Sequence, residues 1–131
     1  MVVDDDAVIL KLLQVNFELE GYEVIAAPGG REALQHARDA SPDVVVLDVM
    51  MPGIDGLEVA RRLRDDPLTS DLPILLLSAK AQVADIEAGR HLAADYMTKP
   101  FDSLELLERV SALLERDEAH GLDTGSRPPE G

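Results

Sequence analysis

The run DVVVLDVMMPGIDG, from Asp43 to Gly56, restricts the fold more than any other stretch of this chain. Val44, Val45, Val46 and Leu47 are consecutive apolar residues, mostly β-branched, that follow the turn pair Ser41-Pro42. A run this short and this bulky is a poor helix and a good strand. No polar residue alternates along it, so both faces must be covered, as happens in a parallel sheet. The strand ends on Asp48, and Pro52, Gly53 and Gly56 then keep the backbone irregular until a helical pattern resumes at Leu57. Asp48 is therefore expected at the carboxyl rim of an open α/β sheet, where ligands bind. An aspartate there also has a plainer use, bonding its own backbone to shape a turn.

The rest of the chain supplies companions for that strand. Met1, Val2 and Val3 form a short apolar strand running into three acids, Asp4, Asp5 and Asp6. A helix from Ala7 to Glu20, with Ile9, Leu12, Leu13 and Phe17 near helical spacing, stops at Gly21. Glu23 to Ala27 reads as a second strand, and Gly30 to Ala40 as a second helix with Ala33, Leu34 and Ala37 on one face. Leu57 to Arg64 makes a third helix, Ile74 to Ala79 a strand, Val83 to His91 a fourth helix and Asp95 to Thr98 a fifth strand. Asp102-Ser103-Leu104-Glu105 has the form of a capping box for a fifth helix carrying Leu104, Leu107, Val110 and Leu114. Strands alternating with helices imply a doubly wound five-stranded parallel sheet with right-handed crossovers. The expected fold is the flavodoxin-like (βα)5 arrangement, with strand order 2-1-3-4-5. One domain is expected over residues 1–117, followed by a disordered tail from Glu118 to Gly131, where small, polar and proline residues leave nothing to bury.

Composition narrows the function. The chain has no cysteine, which fits a reducing cytoplasm and excludes thiolate chemistry. No apolar run nears the roughly 20 residues that span a bilayer, and MVVDDD lacks the basic and apolar regions of a signal peptide, so a soluble cytoplasmic protein without membrane contact is expected. A formal charge of −14, from 12 basic and 26 acidic residues, repels phosphate backbones and argues against direct nucleic-acid binding.

In the expected sheet, Asp4 to Asp6, Asp48, Ser78 and Lys99 all collect at the carboxyl rim. Crowded carboxylates repel unless a hard divalent cation neutralises them, and Mg2+ suits a site of few carboxylates that also holds phosphoryl oxygens. Lys99 and the Ser78 hydroxyl, arriving from neighbouring strands, could bind further oxygens of a phosphoryl group on Asp48. Together these residues describe an aspartyl-phosphate site.

Four segments in order, VVDDD, VVVLDVMMPGIDG, LLLSAK and DYMTKPF, resemble the receiver domain of a bacterial two-component response regulator, from Val2 to about Arg116. The resemblance implies that Asp48 is the phosphoacceptor, charged by a sensor histidine kinase, a histidine phosphotransfer protein or a small phosphodonor. It implies that Asp5 and Asp48 bind Mg2+ directly, Asp4 largely through water, and Met50 through its backbone carbonyl. Ser78 corresponds to the switch hydroxyl, Tyr96 to the aromatic switch position, and Lys99 to the site lysine, followed by Pro100 as a cis-proline candidate. A face made by helix 4, strand 5 and helix 5 is implied as the surface for a downstream protein target or a homodimer.

Asp6 is expected to cap the first helix rather than to bind metal. His36, His91 and His120 are expected to be solvated surface residues, not phosphoryl carriers. No output domain follows the fifth helix in this sequence, so a stand-alone, single-domain regulator that acts by contact is expected. It is expected to be a signalling phosphoacceptor that assists its own phosphorylation and dephosphorylation, rather than an enzyme. A constitutive binding module is disfavoured by the complete rim set. A hydrolytic phosphatase usually places a second acid two residues after its aspartyl nucleophile, and here that residue is Met50.

Overall fold

A computed structural model describes residues 1–79, 87 and 90–124. Five strands, β1 (Val2–Val3), β2 (Ala26–Ala27), β3 (Val45–Asp48), β4 (Ile74–Ala79) and β5 (Asp95–Lys99), form one sheet in the order β2-β1-β3-β4-β5. Every pairing is parallel, with Val46 opposite both Val2 and Leu75. This is the expected topology. β3 begins one residue later than expected and ends on Asp48, so the carboxylate belongs to the ladder.

Side chains alternate across the sheet, and the helices sort accordingly. Val3, Val45, Leu47, Ile74 and Leu76 face a layer made by α2 (Gly30–Ala40) and α3 (Gly56–Asp65), where Ala33, Ala37, Val59, Ala60 and Leu63 are buried. Val2, Val46, Leu75, Leu77 and Met97 face α1 (Ala7–Leu19) and a C-terminal helix (Ser103–Thr124), through Leu13, Phe17, Leu106, Val110 and Leu113. Each fully buried valine, leucine, isoleucine or phenylalanine among these contributes about 1.5–3 kcal/mol. Both faces of the central strand are thereby dry, as its unbroken apolar run requires.

Local chemistry fixes the ends. Asp6 caps α1, its Oδ1 accepting from the N–H groups of Val8 at 2.9 Å and Ile9 at 3.3 Å. Gly21, with φ of +95°, turns the chain after α1. Asp55 caps α3 through the Glu58 N–H at 2.9 Å, and Asp102 caps the C-terminal helix through the Leu104 N–H at 2.9 Å. The Glu105 carboxylate pairs instead with Arg109 at 2.8 Å, on the outer face of the helix.

Several expectations need correction. On the C-terminal helix Leu106, Val110 and Leu113 are buried and Leu107 and Leu114 pack half-buried beside them, whereas Leu104 is 63% exposed, so the expected stripe fails only at its first residue. Leu12 of α1 likewise points outward, since Leu13 and Phe17 occupy the sheet side. β2 is limited to Ala26–Ala27, although the Val2 N–H already donates to the Ile25 carbonyl at 2.8 Å; a ladder cannot outrun the partner strand, and β1 is equally short. The C-terminal helix runs to Thr124, so residues 118–124 are helical where disorder was expected. Extending an established helix costs far less than starting one, and this one is already anchored by its buried half. Residues 125–131 of the expected tail lie outside the described residues. So does most of the fourth helix expected over Val83 to His91; His91, at its end, lies in a 3-10 turn, Arg90–Leu92. Among the described residues, no helix is long and apolar enough to cross a membrane.

Candidate phosphoryl-acceptor site

Alternation along the strands decides which rim residues can meet. Asp4 follows β1 in phase with Val2, Asp48 is in phase with Val46, and Lys99 is in phase with Met97, so all three extend from the α1 side of the sheet. Parallel pairing levels their ends, with Asp48 opposite Leu77 and Lys99 opposite Ala79. The Lys99 ammonium then lies between two carboxylates, 2.8 Å from Asp48 Oδ1 and 3.0 Å from Asp4 Oδ2. The Asp4 and Asp48 side chains are 1% and 5% exposed, and that of Lys99 is 22% exposed. Asp5 is exposed beside them, and Asp4, Asp5 and Asp48 each offer a carboxylate oxygen within 4.8 Å of the others.

The electrostatics follow from burial and crowding. Burial pushes the Asp48 carboxyl above the usual aspartate range; the Lys99 hydrogen bond opposes this, while Asp4 and Asp5 add to it. For Lys99, burial works against the charged form, but the bonds to Asp48 and Asp4 outweigh it and the pKa is raised. The lysine is thus held as a cation against a carboxylate that is costly to keep charged. An exposed acid beside two buried ones supplies only hard oxygen donors, the chemistry suited to Mg2+.

The backbone beyond Asp48 is tightly fixed. Val49 donates to the Leu77 carbonyl at 2.9 Å and Gly56 to the Val49 carbonyl at 2.7 Å, while the buried Val49 and Met51 anchor the loop from below. A Cβ on Gly56 would lie 2.1 Å from the Asp48 carbonyl oxygen, so only glycine admits this return of the chain. Met50 sits on top of the loop with its side chain 65% exposed.

Ser78 and Tyr96 belong to the other face, in phase with Ile74 and Leu76. Ser78 is fully buried and its Oγ donates to the Ala79 carbonyl at 2.9 Å. Tyr96 is half-buried against the α2 and α3 layer, and its hydroxyl donates to Glu87 at 3.2 Å. The Lys99-Pro100 peptide is cis, as expected. Two features escaped the sequence reading. The first is the Asp4–Lys99 bond, which strand parity could have revealed, because both residues are in phase with the same apolar face. The second is the Glu87 partner of Tyr96, for which the sequence carries no local signal.

Known proteins share the sequence and fold of this chain. The Bacillus subtilis alkaline phosphatase synthesis transcriptional regulatory protein PhoP is 50% identical over 119 residues, covering 90% of this chain and 49% of that protein. The Synechocystis DNA-binding dual master transcriptional regulator RpaA is 44% identical, covering 88% of this chain and 48% of that protein. The chain thus spans about half the length of these curated relatives. Among solved structures, the receiver domain of Francisella response regulator 1452 superposes with a TM-score of 0.81 at 35% identity, covering 88% of this chain and 95% of that one. Vibrio cholerae chemotaxis protein CheY4 gives 0.80 at 32% identity, covering 86% and 94%. The response regulator receiver domain family matches residues 1–111, a span that holds all five strands and every rim residue described above, and the chain belongs to that family.

Proposed function

We propose that Asp48 is the residue that accepts the phosphoryl group in this two-component receiver. The observation that carries the reading is the lysine-bridged pair of nearly buried carboxylates at the rim, Asp48 and Asp4, with Asp5 alongside. An Asp48 carboxylate oxygen attacks phosphorus, the bond from phosphorus to the donor's imidazole nitrogen or acyl oxygen breaks, and the leaving group departs with that electron pair. Lys99, already 2.8 Å from Asp48, is placed to follow the new phosphoryl oxygens as negative charge moves onto them. Asp5, Asp48, Asp4 and the Met50 carbonyl would hold Mg2+, which supplies charge neutralisation for the carboxylates and the incoming phosphoryl group. The same groups would assist loss of the phosphoryl group to water.

Readout is proposed to run through Ser78 and Tyr96. Turning the Ser78 hydroxyl from the Ala79 carbonyl toward a phosphoryl oxygen vacates space on the face that Tyr96 shares, and Tyr96 then moves inward. The surface of β5 and the C-terminal helix is the proposed contact for a downstream protein or a second copy, in a cytoplasmic setting and without direct nucleic-acid contact. For the donor, α1 offers Val8, Leu12, Val15 and Leu19, exposed by 77%, 46%, 39% and 77%. Their spacing of four, three and four residues makes one outward apolar strip, which begins beside the Asp4 to Asp6 corner of the site. A helical phosphodonor, from a histidine kinase or a phosphotransfer protein, fits such a strip. The phosphorylated unit is proposed to comprise residues 1–117.

Incubation with acetyl phosphate and Mg2+ tests the acceptor: the protein should gain the mass of one phosphoryl group, and Asp48→Asn should gain none. Phosphorylation that persists in Asp48→Asn would sink the reading.

A further inference from the structure

The backbone of Tyr96 is held at both its N–H and its carbonyl. Its N–H donates to the Asp95 carboxylate at 2.8 Å, and its carbonyl accepts from Arg109 Nη1 at 3.1 Å. Arg109 also bonds Asp95 at 3.0 Å and Glu105 at 2.8 Å, which rivets this point of β5 to the C-terminal helix. With the backbone held, the freedom left to Tyr96 is rotation of its ring about the Cα–Cβ bond. The ring hydroxyl donates to Oε2 of the exposed Glu87 at 3.2 Å, and rotation of the ring breaks that bond. Tyr96 pairs in register with Leu76, one pleat step from Ser78 on the same face, so the ring lies next to the hydroxyl proposed to move.

We infer that Glu87 is a positioning residue that latches Tyr96 in its resting rotamer, and that breaking the Glu87–Tyr96 bond is a cost that phosphorylation must meet. The inference rests on reading Tyr96 as the switch residue. A ligand that favours the switched state is weakened by whatever stabilises the resting state. A hydrogen bond at an exposed position is worth on the order of a two- to tenfold bias in that equilibrium. Glu87 thus sets how readily the domain responds without touching the phosphoryl group.

The chain has no tryptophan and two tyrosines, so Tyr22→Phe leaves Tyr96 as the sole emitter. Tyr22 stacks edge-on against Phe17 with ring centroids 5.5 Å apart, a packing that phenylalanine preserves. Tyrosine emission is quenched when the hydroxyl bonds a carboxylate, so it reports the latch directly. In the Tyr22→Phe background, beryllofluoride with Mg2+, a mimic of the phosphoryl group, should raise Tyr96 emission. Glu87→Ala should raise the resting emission and lower the half-saturating beryllofluoride concentration by roughly two- to tenfold. Glu87→Gln keeps an acceptor without the quenching carboxylate, and should restore much of the parent affinity while remaining bright. Identical resting emission and identical half-saturation in Glu87→Ala and its parent would overturn the latch. Emission that rises on beryllofluoride binding by the same amount in both proteins would do so too, while leaving the switch intact. If beryllofluoride raises the melting temperature yet leaves Tyr96 emission unchanged in the Glu87 protein, the switch reading itself has failed, and the latch with it.

Discussion

Replacing Lys99 by methionine removes the only cation that the described structure places between Asp48 and Asp4, and leaves two carboxylates that are 5% and 1% exposed without their shared partner. Removing one member of a buried charge pair costs about 3–5 kcal/mol, because the remaining charge stays desolvated. Water reaches Lys99, which is 22% exposed, so the lower end of that range, about 3 kcal/mol, is expected in metal-free buffer at neutral pH. With a urea m-value of about 1.5 kcal/mol per molar, this moves the unfolding midpoint down by about 2 M. The pH dependence gives a second handle. Burial already raises the Asp48 pKa and the Lys99 bond holds it down, so losing Lys99 raises it further. A carboxyl whose folded pKa lies above its unfolded value keeps its proton where the unfolded chain has lost it. The penalty is therefore fully present above the folded pKa, and fades as pH falls through it toward about pH 4. Magnesium should narrow the gap between variant and parent, by neutralising the same carboxylates. Urea melts at several pH values, with and without Mg2+, make the comparison. A neutral-pH loss below about 1 kcal/mol, or a loss that grows as the solution is acidified, would refute the claim that Lys99 offsets buried carboxylate charge.

Other expectations can be checked alongside. Asp48→Asn removes a carboxylate whose pKa is raised by burial and by its acidic neighbours, so it should raise the melting temperature of the metal-free protein and reduce the gain from Mg2+; a destabilised variant would show the net charge at that position to be favourable. Gly56→Ala forces a Cβ to within 2.1 Å of the Asp48 carbonyl oxygen and should lose at least about 3 kcal/mol in chemical denaturation. At Gly53, by contrast, where φ is +78° and space is open, alanine should cost only about 1–2 kcal/mol. In the chain beginning at Met1, burial lowers the pKa of the amino group to about 6 from 8.0, while that group donates to the Val44 carbonyl at 2.8 Å. The unfolded chain binds the proton more tightly, so a penalty of about 2–3 kcal/mol present below pH 6 should vanish as pH rises toward 8; an apolar extension ahead of Met1 should abolish that slope in denaturation midpoints.

The sheet was readable because its main strands carry their own signatures: apolar runs that stop on Asp4, Asp48 or Ser78-Ala79, and a short fifth strand that stops on Lys99-Pro100. Those stops lie at one rim, and a parallel sheet levels them. What the sequence hides is direction. Leucine spacing suggested Leu104 and Leu12 as inward residues, yet both point to solvent, because periodicity marks an apolar face without saying which of its edges the sheet covers. The outward strip on α1 became visible only once Leu13 and Phe17 were seen to fill the sheet side. The end of the C-terminal helix was hidden for a different reason, since composition marks where a chain stops having something to bury, and a helix nucleated upstream continues past that point. The Asp4–Lys99 bond joins residues 95 apart in sequence, and depends on two strands being in phase at the same level of the rim.

The central claim is that the phosphoryl group resides on Asp48 and on no other acid of the cluster. An acyl phosphate is reduced by borohydride to the alcohol, which converts the phosphorylated aspartate, and only that one, to homoserine. After treatment with acetyl phosphate and Mg2+, then borohydride, peptide mapping should find homoserine at position 48, with Asp4 and Asp5 unaltered. Homoserine at position 4 or 5, or phosphate retained on a histidine after reduction, would contradict the account.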